Sequence, residues 1–505
     1  FKDKASFNSD ISNWDVSNGT DFESMFSGAT SFNQDISGWD INENSDLTNM
    51  FNDADSMQSN QGVGETPSIY YFNPYIFTDK KTLQTAIDSW CSYGSLTTKK
   101  IYGDISKWDV SQITDFSELF KDKSGFNSDI SNWDVSNGTD FSGMFNNARA
   151  FNQDISNWDV SNGTDFNKMF SFAYEFNQDI SGWDVSNGID FSSMFYRAYD
   201  FDQDIGSWDV SKGTDFSYML SEGKFNQDIS SWDVSNGTNF KWMFSYASFF
   251  NQDLGNWDVS NGTNFESMFS GSAINQDISS WDVSKGTDFA YMFFKASDFN
   301  QDIGNWDVGN STTFKRMFNS SAFNQDIGSW DVSQGTDFSE MFGGTDFNQD
   351  IGNWDVSSGT DFYWMFYNAD SFNQDISSWD VSSGTNFSAM FYDADALDQN
   401  LKNWTLNEDA LLTDIFYSAD LMQSNQGVGD TPSIYYFNPF PDKTTLKTAV
   451  DAWIDDQDAA KETYGDINKW DVSQITDFSE LFKDKTGFNS DISNWDVSSG
   501  TDFSH

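Results

Sequence analysis

Histidine and cysteine are almost missing from this 505-residue chain, which has one of each, His505 and Cys91. His505 stands at the chain end and Cys91 in a segment between repeat blocks, so no Ser-His or Cys-His nucleophile is expected, and a single thiol excludes an internal disulfide framework and a multi-cysteine metal site. A carboxylate pair could still hydrolyse glycosides, but the acidic residues recur identically from repeat to repeat, whereas an active site breaks a pattern once. The sequence therefore predicts no enzyme. Basic residues are scarce too: 26 Lys and Arg stand against 79 Asp and Glu, a formal charge of -53. That sign argues against nucleic acid and anionic membrane as partners. No apolar run of about 18 residues occurs, so no segment is expected to span a bilayer. No charged-then-apolar leader opens the chain, which starts at Phe1 inside a repeat and reads as processed or as a window of something longer. Proline is confined to Pro67, Pro74, Pro432, Pro439 and Pro441, in two copies of one segment; elsewhere the backbone tolerates none.

Aromatic residues are abundant, with 51 Phe, 21 Trp and 18 Tyr. They fall in fixed register, which argues for a packed fold rather than acidic disorder. The unit is FNQDISNWDVSNGTDFNKMFSFAYE, residues 151–175, and copies recur about every 25 residues. Ile155, Trp158 and Val160 have the LxxLxL spacing of a leucine-rich-repeat strand. Phe166, Met169, Phe170 and Ala173 sit at i, i+3, i+4 and i+7, which predicts a short amphipathic helix. Thr164 is placed as its N-cap, and Thr20 with Glu23 and Thr263 with Glu266 read as capping boxes. Asn162-Gly163 makes the turn before it. One unit has too few apolar residues to bury alone, so neighbours must share a core. The expected fold is a right-handed, leucine-rich-repeat-like α/β solenoid of short parallel strands and short helices, about 17 coils, with Phe and Trp ladders inside.

The pattern divides the chain into five parts. Residues 1–56 end one repeat block, 57–106 form a boundary segment with a capping helix, and 107–421 are the main block. A second boundary with its own capping helix covers 422–469, and 470–505 begin the next block. The boundary copies start at Met57 and Met422, about 365 residues apart, so whole blocks repeat. In each, Leu83, Ala86, Ile87 and Trp90, or Leu446, Ala449, Val450 and Trp453, form one apolar helix face. That face is expected to cover the open end of the following stack.

The stretch Phe151 to Phe170 resembles the repeat of BspA-type leucine-rich-repeat surface proteins, a bacterial surface-protein repeat of roughly 26 residues. The resemblance implies an extracellular or cell-surface protein with a role in adhesion or surface architecture. It differs in placing Gly163-Thr164 where many members have a small aliphatic residue, and Phe166 where many have Met.

The pattern offers three sets of candidate site residues. Asp109, Asp134, Asp159, Asp184, Asp209, Asp233, Asp258 and Asp282 each come directly after a tryptophan and should stack into a column. Carboxylates one strand spacing apart repel by roughly 3 kcal/mol at an effective dielectric near 20. Bridging Ca²⁺ would relieve that, as would hydrogen bonds from nearby Ser and Asn with the carboxylates splayed into water. A second column, Asn152 with Asp154, is read as structural. Asn18, Asn137, Asn162, Asn236 and Asn261 head NGT sequons on predicted turns and are candidate glycosylation sites; Asn-Gly is equally good turn chemistry. Asn310, Asn319, Asn386 and Asn403 also fit the sequon. Trp242 and Trp364 replace variable helix positions and are the candidates for a ligand patch. The reading is a tandem-block structural scaffold or adhesin that contacts copies of itself or other surface components and is able to form fibres or a coat. The alternative is a module that binds a glycan or protein on its strand face.

Overall fold

The computed structural model describes residues 1–93 and 95–504, in two compact units, Phe1–Val234 and Ser235–His505. Within each, successive repeats lie in register as layers, but they are not the α/β solenoid of strands and helices that the spacing predicts. Among the described residues there is no strand. Within each unit neighbouring repeats pair through isolated parallel bridges, as Asp140 does with Asp165 and Asp165 with Asp190. Among the described residues, helices lie only in or beside the proline segments.

The expected strand fails at its centre. Trp158 donates its backbone N–H to Ile155 O at 3.1 Å, folding the run into a turn. On either side the Asp154 and Asp159 carboxylates accept the N–H of Ser156 and Ser161 at 2.9 and 3.0 Å. These Asx turns take the donors that a strand would send to its neighbour. Ile155, Trp158 and Val160 still face inward and are almost fully buried.

The expected helix fails for a different reason. Lys168 and Phe172 are left-handed, at φ 55° and 58°, and the two matching positions of most other repeats are left-handed too. A left-handed residue every fourth place prevents the regular i to i−4 bonding of a helix. The N–H groups alternate instead. Those of Met169, Ser171 and Ala173 close overlapping turns onto Phe166, Lys168 and Phe170 at 3.0 to 3.1 Å. Those of Phe166, Lys168, Phe170 and Phe172 donate to Asp190, Ser192, Met194 and Tyr196 of the next layer at 2.8 to 2.9 Å. Every donor is thus satisfied by a strip of turns zipped to its neighbour. Phe166, Met169, Phe170 and Ala173 remain on its buried side. Thr164 has no helix to cap, and its N–H and Oγ1 both donate to Thr139 O at 2.9 and 3.1 Å. Nor do the capping boxes form, since Glu266 pairs with Lys241 at 2.5 Å and Glu23 donates its N–H to Asp21. Gly163 does close the Asn-Gly turn, onto Val160 O at 2.8 Å. Its lack of a side chain serves packing, because a Cβ there would lie 2.5 Å from the tip of the Phe166 ring.

Aromatic ladders run through the layers. Phe145, Phe170 and Phe195 stack at 5.5 and 5.7 Å, and Trp183 and Trp208 lie parallel at 6.5 Å. Such pairs each add about 0.5–1.5 kcal/mol beyond the area they bury. The tryptophans also bond between layers: Trp158, Trp183 and Trp208 donate Nε1–H to the Ile130, Ile155 and Ile180 carbonyls of the layer before at 3.1 to 3.2 Å.

Each proline segment is split between two cores. In the first unit, Val63, Tyr71 and Phe72 join the core of the layers before them, and Asn73 donates to Ile41 O at 3.0 Å. After Pro74 come α2 (Lys80–Tyr93) and α3 (Ser95–Tyr102), later in the chain than the short α1 (Asp55–Asn60). Leu83, Ala86 and Ile87 of α2 are fully buried. Trp90 lies edge-on to Trp108 at 5.9 Å and donates to Ser128 Oγ at 3.0 Å, so α2 rests on the first layers of the main stack. The second unit repeats the arrangement with α4 (Lys443–Asp455) and α5 (Gln457–Tyr464). Leu446, Ala449 and Val450 are buried, Trp453 meets Trp470 at 5.8 Å, and the core restarts at Phe440. Gly103, at φ 72°, closes the first joint; a Cβ there would lie 1.9 Å from Tyr70 O.

Candidate functional site

Residues one, two, five and six places after each inward Phe of the turn strip form its outer side. Core positions repeat, whereas these vary, and several hold large aromatics half-exposed between polar neighbours. In the first unit Phe172, Tyr196 and Tyr218 meet edge to face at 5.2 and 5.7 Å. They line a cleft of about 430 Å³ with Lys168 and Ser193. The Arg197 guanidinium lies 5.3 and 5.2 Å from the Phe172 and Tyr196 rings and pairs with Glu222 at 2.8 Å. Burial, then the Glu222 charge, pushes the Tyr196 hydroxyl up to about 12. The Tyr196 phenol on the cleft wall is therefore neutral, and the guanidinium beside it is paired.

In the second unit Trp242 and Trp364 stand at the left-handed second position, at φ 59° and 55°. They do not share a site. Trp242 lines a mainly apolar cleft of about 330 Å³ with Tyr246, Glu266, Tyr291 and Phe294. Trp364 is stacked between Tyr363 and Tyr367 at 5.0 and 4.4 Å. The series goes on through Tyr392 and Tyr417, 5.4 and 4.5 Å apart in turn. The sequence singles out the two tryptophans but not the Tyr and Phe residues around them. The signal of those residues is positional, a departure from the repeat at fixed offsets from Phe166 and its copies.

Of the candidate metal column, Asp134, Asp159, Asp184, Asp209, Asp233, Asp258 and Asp282 are exposed, and Asp109 is half-buried. Asp109 and Asp134 accept from both the N–H and the hydroxyl of Ser111 and Ser136, the hydroxyls at 2.6 Å. Asp159, Asp184, Asp209, Asp258 and Asp282 accept the N–H of the serine two residues on at 3.0 Å. These bonds, from the serine hydroxyl first, hold the Asp184, Asp209, Asp258 and Asp282 carboxyls below the ordinary range. Among the described residues, the carboxylates that come within 4.8 Å as a group of three are the exposed Asp21, Glu23 and Asp46, which include no member of the column.

A further acidic column, for which the sequence pattern gives no functional signal, lies at the parallel bridges. Asp140, Asp165, Asp190 and Asp215 are half-buried there. Burial first, with Asp190 and Asp140 adding to it, raises the Asp165 carboxyl above its ordinary range. Asn239, Asn264 and Asn386 hold the same place in the second unit.

The sequon asparagines Asn18, Asn137, Asn162 and Asn236 are exposed, and Asn261 is half-buried. Asn137, Asn162 and Asn261 donate Nδ2–H to Ser111, Ser136 and Ser235 carbonyls of the neighbouring layer at 2.7 to 2.8 Å. Cys91 is exposed, and His505 lies outside the described residues. No helix among the described residues is long and apolar enough to cross a membrane.

Comparison with protein families gives repeated matches to the one described as "Mycoplasma protein of unknown function, DUF285", over residues 1–90, 93–202, 183–274, 263–346, 336–428 and 455–505. Comparisons with curated proteins and with solved structures give no match.

Proposed function

We propose that this chain, which belongs to the DUF285 family and is built of its tandem repeats, is a non-enzymatic adhesive scaffold that binds its partner on the turn face. One observation carries the reading. The buried positions and the Asx turns repeat from layer to layer, while the outer turn positions vary and gather half-exposed aromatics such as Trp242, Tyr291, Trp364 and Tyr367. A polymer needing only stiffness has no use for such a face, and clustered aromatics between polar residues are the usual mark of a recognition surface. The likeness to BspA-type repeats supports a place at the cell surface, and the acidity keeps neighbouring molecules apart except where a specific contact forms.

The competing reading is a scaffold that only joins to itself. The same experiment separates the two: the full chain is passed over immobilised glycans and surface proteins beside its Trp364→Ala, Tyr367→Ala double variant. Specific retention that the variant loses is expected. Retention equal in both, or self-association as the sole interaction, overturns the turn-face reading.

A further inference from the structure

We infer that the cleft between Trp242 with Tyr246 and Tyr291 with Phe294 is a seat for one neutral pyranose ring, as in a terminal hexose of a glycan. The inference rests on the turn-face reading above and names the ligand class for one of its clefts.

The cleft exists because one layer is small where its neighbours are large. Its floor carries Ser267 and Ser270 at the outer turn positions, both almost fully buried, with the left-handed Gly271 next in the chain. The layer before contributes Trp242 and Tyr246, and the layer after contributes Tyr291 and Phe294. The stacked core rings of these three layers, Phe240, Phe265 and Phe289, are separated by 5.7 and 5.4 Å. Trp242 and Tyr246 thus stand on one side of the small layer, and Tyr291 and Phe294, edge to face at 5.7 Å, on the other. Tyr246 narrows the gap. Its ring lies across Gly271, where a Cβ would come within 2.8 Å of it, and Gly271 takes φ 62°.

Lining and charge together select the ligand. A saturated ring rests its C–H faces on aromatic side chains by dispersion contacts near ~4 Å. A quaternary ammonium is the common guest of aromatic cages, but the charges oppose it. Arg316 already lies 5.5 and 5.8 Å from the Tyr291 and Phe294 rings, and Lys295 lies 5.0 Å from Phe294. Glu266, the carboxylate of the lining, is paired with Lys241, and Arg316 is paired with Glu340, each at 2.5 Å. A cation entering the cleft would meet like charge, with both of these carboxylates already engaged. A neutral ring with apolar C–H faces and hydroxyl edges meets none of these costs. Its faces suit the walls, and its hydroxyls reach the serine floor and the Glu266 rim.

The test uses the full chain and small probes: methyl glucoside, methyl galactoside, methyl N-acetylglucosaminide and tetramethylammonium chloride. Saturation transfer to the probe, with tryptophan fluorescence, reads binding to the chain and to Trp242→Ala, Phe294→Ala and Trp364→Ala. These rings are half-exposed, and unchanged thermal melting checks that the variants fold. At least one pyranoside should bind, with transfer to its ring C–H protons, weakened about tenfold or more by Trp242→Ala and by Phe294→Ala and left unchanged by Trp364→Ala. Sugar binding lost only on Trp364→Ala overturns this seat while leaving the turn face intact as a binding surface. Tetramethylammonium bound in place of the sugars overturns the ligand class. No binding of any pyranoside overturns the inference.

Discussion

Replacing Lys168 with alanine and then with glycine tests the turn strip directly, because a helix and a left-handed turn predict opposite signs. The side chain of Lys168 is exposed, and its φ is 55°. Lys168→Ala removes solvated methylenes and one charge, and should change stability by less than about 0.5 kcal/mol. The step from Ala to Gly then isolates the backbone. In a helix it costs about 0.5–1 kcal/mol, because glycine has more freedom to lose on folding. In the left-handed region an L-residue bears a strain of about 1–2 kcal/mol that glycine does not. Set against the added freedom of the unfolded chain, the net gain is about 0.5–1 kcal/mol. The two conformations thus differ by about 1–2 kcal/mol in the Ala-to-Gly step. Urea unfolding followed by tryptophan fluorescence reads it, with Gly143→Ala as the reverse experiment in the neighbouring layer. Gly143 has φ 58° and room for a Cβ, with Glu118 Cγ at 3.4 Å. That substitution should destabilise by about 1 kcal/mol through backbone strain alone. A glycine at 168 less stable than alanine, or an alanine at 143 without cost, would refute the strip of turns.

Three further outcomes are expected. Asp165→Asn should raise the unfolding midpoint at pH 7, by a few tenths to about 1 kcal/mol, since Asn264 shows that an amide keeps the turn bond at 2.9 Å. The folded Asp165 carboxyl lies above its unfolded value, so its contribution is full below the unfolded pKa and is lost as pH rises. The gain from the substitution should accordingly vanish toward pH 3, and a gain equal at both pH values would contradict it. Lys402 is pushed down to about 8, by burial first and the Lys469 charge second. Between pH 8 and its unfolded value near 10.4 the unfolded chain binds more protons, so stability should rise with pH across that window. Lys402→Met, keeping the packed stem, should gain about 1–3 kcal/mol at pH 7 and flatten the rise; an unchanged slope excludes Lys402 as its cause. Because column aspartates such as Asp134, Asp159 and Asp184 accept from the serine two residues on, melting in calcium chloride should match melting in sodium chloride of equal ionic strength. A higher midpoint in calcium alone would establish bridging cations.

Buried positions, the tandem repeat and the amphipathic helices α2 and α4 were legible from the sequence, because apolar side chains recur where burial requires them. Phe166, Met169, Phe170 and Ala173 all turned inward, and the apolar face of α4, Leu446, Ala449, Val450 and Trp453, is buried as its spacing predicts. The backbone conformation between those positions was not legible. A helix and a strip of turns with a left-handed residue every fourth place bury the same i, i+3, i+4, i+7 set, so periodicity cannot tell them apart. The deciding influence was the neighbouring layer, whose carbonyls accept the N–H of Phe166, Lys168, Phe170 and Phe172 and draw them out of helical bonds. The LxxLxL run failed as a strand for a related reason, since Asp154 and Asp159 capture the local donors. The aromatic clefts also belong to the tertiary structure. Trp242 and Phe294 are 52 residues apart in the chain, and only stacking across a layer of serine and glycine makes them two walls of one cleft.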